Sequence, residues 1–248
     1  MKGKDIEVKR NTPQKKLVKK TVKDICRNKY LYAIYKAMKE IGRNHSAVIV
    51  KMKIDDPYVI DINERNYILF LTYILGTIQG KSKDKIISRN DYINGEIYKN
   101  LDSNDDENIK KAYEKFVNLD GCKKCEEIED SKNVRPDFVI HQSHDKVNNP
   151  RFYKDQKLII EAKANKKIEE IPFFWDLLKL NYYIEQYNYD NAIYLIVNAD
   201  VQKVGEYLAL YDSKIGYYAS DKKKLWFFVQ NWNGKKFLSI ELYQIENE

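Results

Sequence analysis

Two spacings of apolar residues divide this chain. From Lys15 to Ile41, Val18, Val22, Ile25, Leu31, Ile34, Tyr35 and Met38 recur at helical intervals and Gly42 supplies a stop, which predicts one amphipathic helix. Ala47 to Lys53 and Tyr58 to Ile62 read as short strands, and Asn66 to Ile78 is apolar nearly all round, the mark of a buried helix. Ser82 to Ser103 is polar and irregular. A soft boundary falls there, between a mainly helical N-terminal region, residues 1–100, and a core, residues 101–248.

In the second region, Ile109, Ala112, Tyr113, Phe116 and Val117 predict a helix over Asp106 to Leu119, ended by Asp120-Gly121. Cys125 to Ile128 is a weak strand candidate, Val134 to His141 a better one, and Lys157 to Lys163 a third. Phe173 to Tyr187 is long enough for a crossover helix, and Ala192 to Val197 is a continuous apolar run of the kind buried on both faces of a sheet. A helix over Val201 to Tyr211, a short strand near Ile215 to Ala219 and a hairpin of Leu225 to Gln230 with Phe237 to Gln244 across Asn233-Gly234 complete the series. The order predicts an α/β (α+β) fold, a central mixed β-sheet flanked by helices.

Charge interrupts two of these strands. Arg135-Pro136-Asp137-Phe138-Val139-Ile140 and Leu158-Ile159-Ile160-Glu161-Ala162-Lys163 place Asp137, Glu161 and Lys163 among apolar residues, where an unpartnered ionised group costs several kcal/mol. Residues two apart share a face of a strand, so Glu161 and Lys163 project together with Ile159 while Leu158, Ile160 and Ala162 face the other layer. If the two strands pair as a hairpin, Asp137 lies beside Glu161. A hard divalent cation, Mg²⁺ or Mn²⁺, would relieve the repulsion between the two carboxylates. Next to such an ion Lys163 would be pushed toward its neutral form and could deprotonate or orient a water. The expectation is a metal-dependent nuclease site.

Pro136-Asp137 followed by Glu161-Ala162-Lys163 at the end of a buried strand, then a helix and a strand, resembles the PD-(D/E)xK nuclease superfamily, which includes type II restriction endonucleases, recombination nucleases and defence nucleases. The likeness covers roughly Asp105 to Ser220, about half the chain. It implies a restriction-endonuclease-like core, Mg²⁺-dependent phosphodiester hydrolysis, Asp137, Glu161 and Ala162 as the metal site, and Lys163 as the water-positioning base. The family's further acidic residue on a preceding helix has no settled counterpart, with Asp106 and Glu64 both open. Its glutamine-tyrosine motif is met only by adjacent Gln186 and Tyr187. The activity expected from the resemblance is a restriction-like endonuclease cutting duplex DNA as a homodimer. A repair, recombination or antiviral nuclease acting on single strands, junctions or RNA, and a non-catalytic DNA-binding protein on a nuclease-like fold, are the alternatives.

Charge sharpens the choice of partner. Residues 1–29 hold eleven Lys and Arg against three acids, so this segment carries +8 of a chain total of +7. Lys16, Lys19, Lys20 and Lys23 are expected on the outer side of the first helix, where they could sit on phosphates or form an ordinary solvated face. His144, Lys146, Asn148, Asn149, Arg151 and Lys154 crowd the connection from Gln142 to Gln156, a loop longer than the strands need and able to reach base edges.

Other features restrict more than they suggest. Gly76 to Ser82 has one residue too few for a phosphate-binding loop and follows a helical pattern. Cys122 and Cys125 with His141 and His144 have the residue types of a zinc site, against free cysteines and a DNA-facing histidine as the plainer reading. Three cysteines fit a reducing compartment. No apolar run nears the ~20 residues of a membrane span and the N-terminus lacks the apolar stretch of a signal peptide, so a cytoplasmic protein away from membranes is expected.

Overall fold

The computed structural model describes residues 15–43, 49–53, 56–81, 87, 91–95, 99–100, 107–119, 133–142, 156–164, 168–233 and 236–247. Its elements are β1 (Lys15–Lys20), α1 (Val22–Ile25), α2 (Lys29–Arg43), β2 (Ile49–Lys53), β3 (Asp56–Ile62), α3 (Glu64–Lys81), β4 (Asp91–Gly95), β5 (Lys99–Asn100), α4 (Glu107–Val117), β6 (Asn133–Val134), β7 (Phe138–Gln142), β8 (Gln156–Lys163), α5 (Glu170–Gln186), β9 (Ala192–Val197), α6 (Val201–Lys214), β10 (Leu225–Trp232) and β11 (Phe237–Asn247). Seven strands form one mixed sheet in the order β1-β11-β10-β9-β8-β7-β4, while β2 with β3 and β5 with β6 pair separately. β9 runs parallel to both β8 and β10, and the other neighbours are antiparallel. The fold is α/β, as expected.

Alternation along the strands creates two apolar layers. On β9, Ala192, Tyr194 and Ile196 join a core with α4, α5 and α6, whereas Ile193, Leu195 and Val197 join one with α2 and α3. Both faces are covered, which explains why β9 is apolar at every position. The N-terminal hundred residues contribute β1, β4, α2 and α3 to this same sheet and its second layer.

Three elements differ from the sequence reading. Lys15 to Ile41 is not one helix. Lys15–Lys20 pairs antiparallel with β11 over six residues, and the amide and hydroxyl of Thr21 both donate to Asp24 Oδ2, at 2.7 and 2.8 Å, where a separate turn starts. Asn28 Oδ1 then accepts the amides of Tyr30 and Leu31 at 3.1 and 3.2 Å and begins α2. The helical spacing of Val18 and Val22 spans a turn that caps interrupt.

The polar stretch Ser82 to Ser103 contains an edge strand, β4, paired with β7. Its polar residue Asp91 is buried and tied to the Tyr30 hydroxyl at 3.2 Å, Gln142 Nε2 at 3.1 Å and Lys29 Nζ at 3.5 Å, partners far away in sequence. Ile215 to Ala219 is not a strand. Gly216, at φ 67°, ends α6, and the next backbone groups bond to side chains instead of a neighbouring strand: the Tyr211 hydroxyl donates to Tyr217 O at 2.8 Å and the Ala219 amide to Asn181 Oδ1 at 2.9 Å.

Candidate active site

The two charged strands are neighbours. β7 and β8 pair antiparallel with Phe138 opposite Ile160, a register that sets Asp137 opposite Glu161. Val139 and Ile159 face α5, and the period of two turns Asp137, Glu161 and Lys163 to that same face. Ala162 packs in the opposite layer, leaving only its backbone near the carboxylates, and its amide donates to Asp137 Oδ2 at 2.7 Å.

Helix α5 completes the site with residues that sequence reasoning missed. Lys163 Nζ lies 2.8 Å from Asp176 Oδ2. Lys179 Nζ bridges Asp176 Oδ1 at 3.0 Å and Glu161 Oε2 at 2.8 Å. Asp176 and Lys179 stand one turn apart and so present both head groups to β8. Tyr194, the register partner of Glu161 on β9, donates its hydroxyl to Asp176 Oδ2 at 3.2 Å. A signal was legible in the sequence: Asp176 and Lys179 fall in the long apolar run from Phe173 to Ile184, charge inside an otherwise buried helix.

The first turn of α3 brings in Glu64. Its Oε2 accepts the Ala164 amide at 3.3 Å and its Oε1 stands 4.0 Å from Lys163 Nζ. Of the two acidic residues left open by the sequence, Glu64 therefore reaches the site, and Asp106 lies outside the described residues.

Burial dominates the electrostatics. Glu161, Asp176 and Lys179 are 1, 3 and 6% exposed, too little for water to solvate their charges. Desolvation raises the pKa of Glu161 well above the ordinary glutamate value, Lys179 opposing it and Asp176 and Asp137 adding to it. Burial likewise raises Asp137, against the Ala162 amide and Lys179, and raises Glu64, against Lys163. For Asp176 the order reverses, because Lys179 and Lys163 outweigh burial and lower its pKa. Burial works against the ammonium of Lys163, yet Asp176 and Glu64 raise its pKa and keep it charged. The drift of Lys163 toward its neutral form is expected beside a bound cation; without one, Asp176, a helix-borne carboxylate the sequence reading did not include, favours the ammonium.

The residues present suit a divalent cation. Among the described residues no three His, Cys, Asp or Glu side chains form a ready-made cage. Mg²⁺ needs none, since it keeps several waters and binds through one or two carboxylates. Glu161 Oε1 is buried without a hydrogen-bond partner, an acceptor that a cation or water would satisfy. Asp137, Glu161 and the backbone of Ala162 would hold the ion.

The remaining predicted residues lie elsewhere. Lys16, Lys19 and Lys20 belong to β1, four strands from β8, which at about 4.8 Å per strand is ~19 Å across the sheet. Lys19 pairs with Glu241 at 2.7 Å and Lys20 with Glu246, and Lys23 is exposed on α1. His144, Lys146, Asn148, Asn149 and Arg151 lie outside the described residues, as do Cys122 and Cys125. His141 uses both ring nitrogens, Nε2 with Asn94 at 2.7 Å and Nδ1 with Gln142 O at 3.1 Å, and stacks on Tyr92. Gln186, the last residue of α5, and Tyr187, its C-cap, fall ten and eleven residues beyond Asp176, about 15 Å or more along the axis at the helical rise. Gly76 to Lys81 is continuous helix and no phosphate loop. No helix among the described residues is long and apolar enough to cross a membrane.

No family model, curated protein or solved structure matches this chain.

Proposed function

We propose that this protein is a Mg²⁺- or Mn²⁺-dependent DNA endonuclease of the PD-(D/E)xK kind, restriction-like in action. The observation that carries the reading is the convergence of Asp137, Glu161 and Lys163 on one face of adjacent strands, with Glu161 Oε1 buried and unpartnered. A bound divalent ion would polarise the phosphodiester and stabilise the leaving oxygen. Asp137 and Glu161 hold that ion. Lys163, kept cationic by Asp176, orients the attacking water through its ammonium and offsets charge developing on the phosphate oxygens. Glu64, one step out, is placed to accept the water's proton, its pKa raised by burial. One site cuts one strand, so duplex cleavage calls for two copies, and a homodimer on duplex DNA belongs to this proposal.

A second reading has its own support. Lys163 and Lys179 already pair with Asp176 and Glu161, and a network closed in this way can serve structure alone, as in a non-catalytic DNA-binding protein. The deciding experiment incubates long unmethylated duplex DNA with protein, in Mg²⁺ or EDTA, beside Glu161→Ala. Discrete Mg²⁺-dependent fragments absent with the variant are expected. Retarded but intact DNA in every lane, independent of metal, would establish the binding role instead.

A further inference from the structure

Lys179 on α5 has no role in the proposed cleavage, and its ammonium bridges two carboxylates of the site, Glu161 and Asp176. We propose that Lys179 acts as a tethered cation, so that the site takes one divalent ion per chain, not two; this rests on the metal-dependent reading of the same site.

The oxygen inventory leads there. Both oxygens of Asp176 are taken, Oδ1 by Lys179 and Oδ2 by Lys163 and the Tyr194 hydroxyl. Glu161 gives Oε2 to Lys179, Asp137 gives Oδ2 to the Ala162 amide, and Glu64 gives Oε2 to the Ala164 amide. Two-ion sites hold their ions roughly 3.5–4 Å apart and share carboxylates between them. Here the second oxygen of Glu161, the buried carboxylate best placed to be shared, already lies on an ammonium group.

Charge gives the same count. Glu64, Asp137, Glu161 and Asp176 stand against Lys163 and Lys179, a net −2 when all six are ionised. One divalent ion cancels that charge. A second would leave +2 in space from which water is largely excluded, where uncompensated charge is costly. Nor can Lys179 withdraw to solvent. It is 6% exposed, in the middle of α5 between buried Leu178 and Leu180, and the Tyr183 hydroxyl one turn on is itself buried without a hydrogen-bond partner.

The test counts ions and needs no cleavage. The full chain, without DNA, is titrated with Mn²⁺ at pH 8 and free Mn²⁺ is followed by its electron paramagnetic resonance signal, with circular dichroism confirming that each variant is folded. The wild type is expected to bind one Mn²⁺ per chain, and Lys179→Arg, which keeps the charge, the same number. Lys179→Met is expected to bind two, or to bind one about tenfold or more tightly, because a like charge a few ångströms from the ion is gone. Two ions on the wild type, or a folded Lys179→Met with wild-type count and affinity, would overturn the inference. No binding by the wild type would remove the metal-dependent reading itself, a different failure and one that takes this inference with it.

Discussion

Lys163 and Asp176 meet at 2.8 Å across the interface of β8 and α5, a helix-borne carboxylate holding the strand-borne lysine in its charged form. The contact joins the end of a β-strand to the middle of a buried helix, so the site is built into the core and not hung on loops. Asp176 also receives Lys179 and Tyr194. It is the hub of the cluster.

Loss of that hub is therefore expected to be severe. Asp176→Ala leaves buried Lys179 and half-buried Lys163 short of a counter-ion, a class of change that costs about 3–5 kcal/mol where the charge is buried. Urea denaturation in EDTA measures it. A loss below about 1 kcal/mol, the range of exposed ion pairs, would show that water reaches the cluster.

If the proposed cleavage holds, Lys163 is the residue at which chemistry and ion binding part. Lys163→Met is expected to lower the single-turnover cleavage rate by at least about a hundredfold, the scale of a positioned polar catalyst, while Mn²⁺ binding persists because the carboxylates remain. Abolished ion binding in this variant would make Lys163 a scaffold residue.

The pH dependence follows from the raised carboxylates. Burial lifts Glu161, Asp137 and Glu64 above their ordinary values, so in this range the fold binds protons more tightly than the unfolded chain does. Their contribution to stability is greatest below the unfolded pKa values, near 4, and is lost as pH rises through the folded ones. Asp176, with its pKa lowered, acts oppositely: its contribution is present above the unfolded value and lost as pH falls through the lowered one. A bound cation favours the ionised forms, so the rise in melting temperature on adding Mg²⁺ is expected to be larger at pH 8 than at pH 5. Equal rises at both pH values would mean that these carboxylates do not bind the ion.

The basic strand is predicted to act on affinity alone. Lys16 lies on β1, four strands from β8, and Lys23 is exposed on α1, so Lys16→Ala with Lys23→Ala is expected to weaken duplex binding and reduce the salt dependence of log K by up to about 2, with the cleavage rate of bound DNA unchanged. An unaltered salt slope would return this strand to an ordinary solvated edge.

The alternation of Ile159, Glu161 and Lys163, the apolar run of Ala192 to Val197 and the spacing of Ile109 to Val117 determined strands, helix and facing from local sequence, because backbone periodicity is a local property. The same periodicity determined that Glu161 and Lys163 share a face, and pairing β7 with β8 set Asp137 beside them. Tertiary structure alone decided the rest. Lys15–Lys20 became an edge strand because β11, more than two hundred residues away, offered a partner, and no local pattern encodes that offer. Asp91 became tolerable inside a strand through Tyr30, Gln142 and Lys29. Glu64, Asp176 and Lys179 entered the site because α3 and α5 pack on the sheet that carries Glu161, and the charge state of Lys163 followed from them. Periodicity tells each residue which way to face, but the energy of a buried charge depends on which distant groups face it.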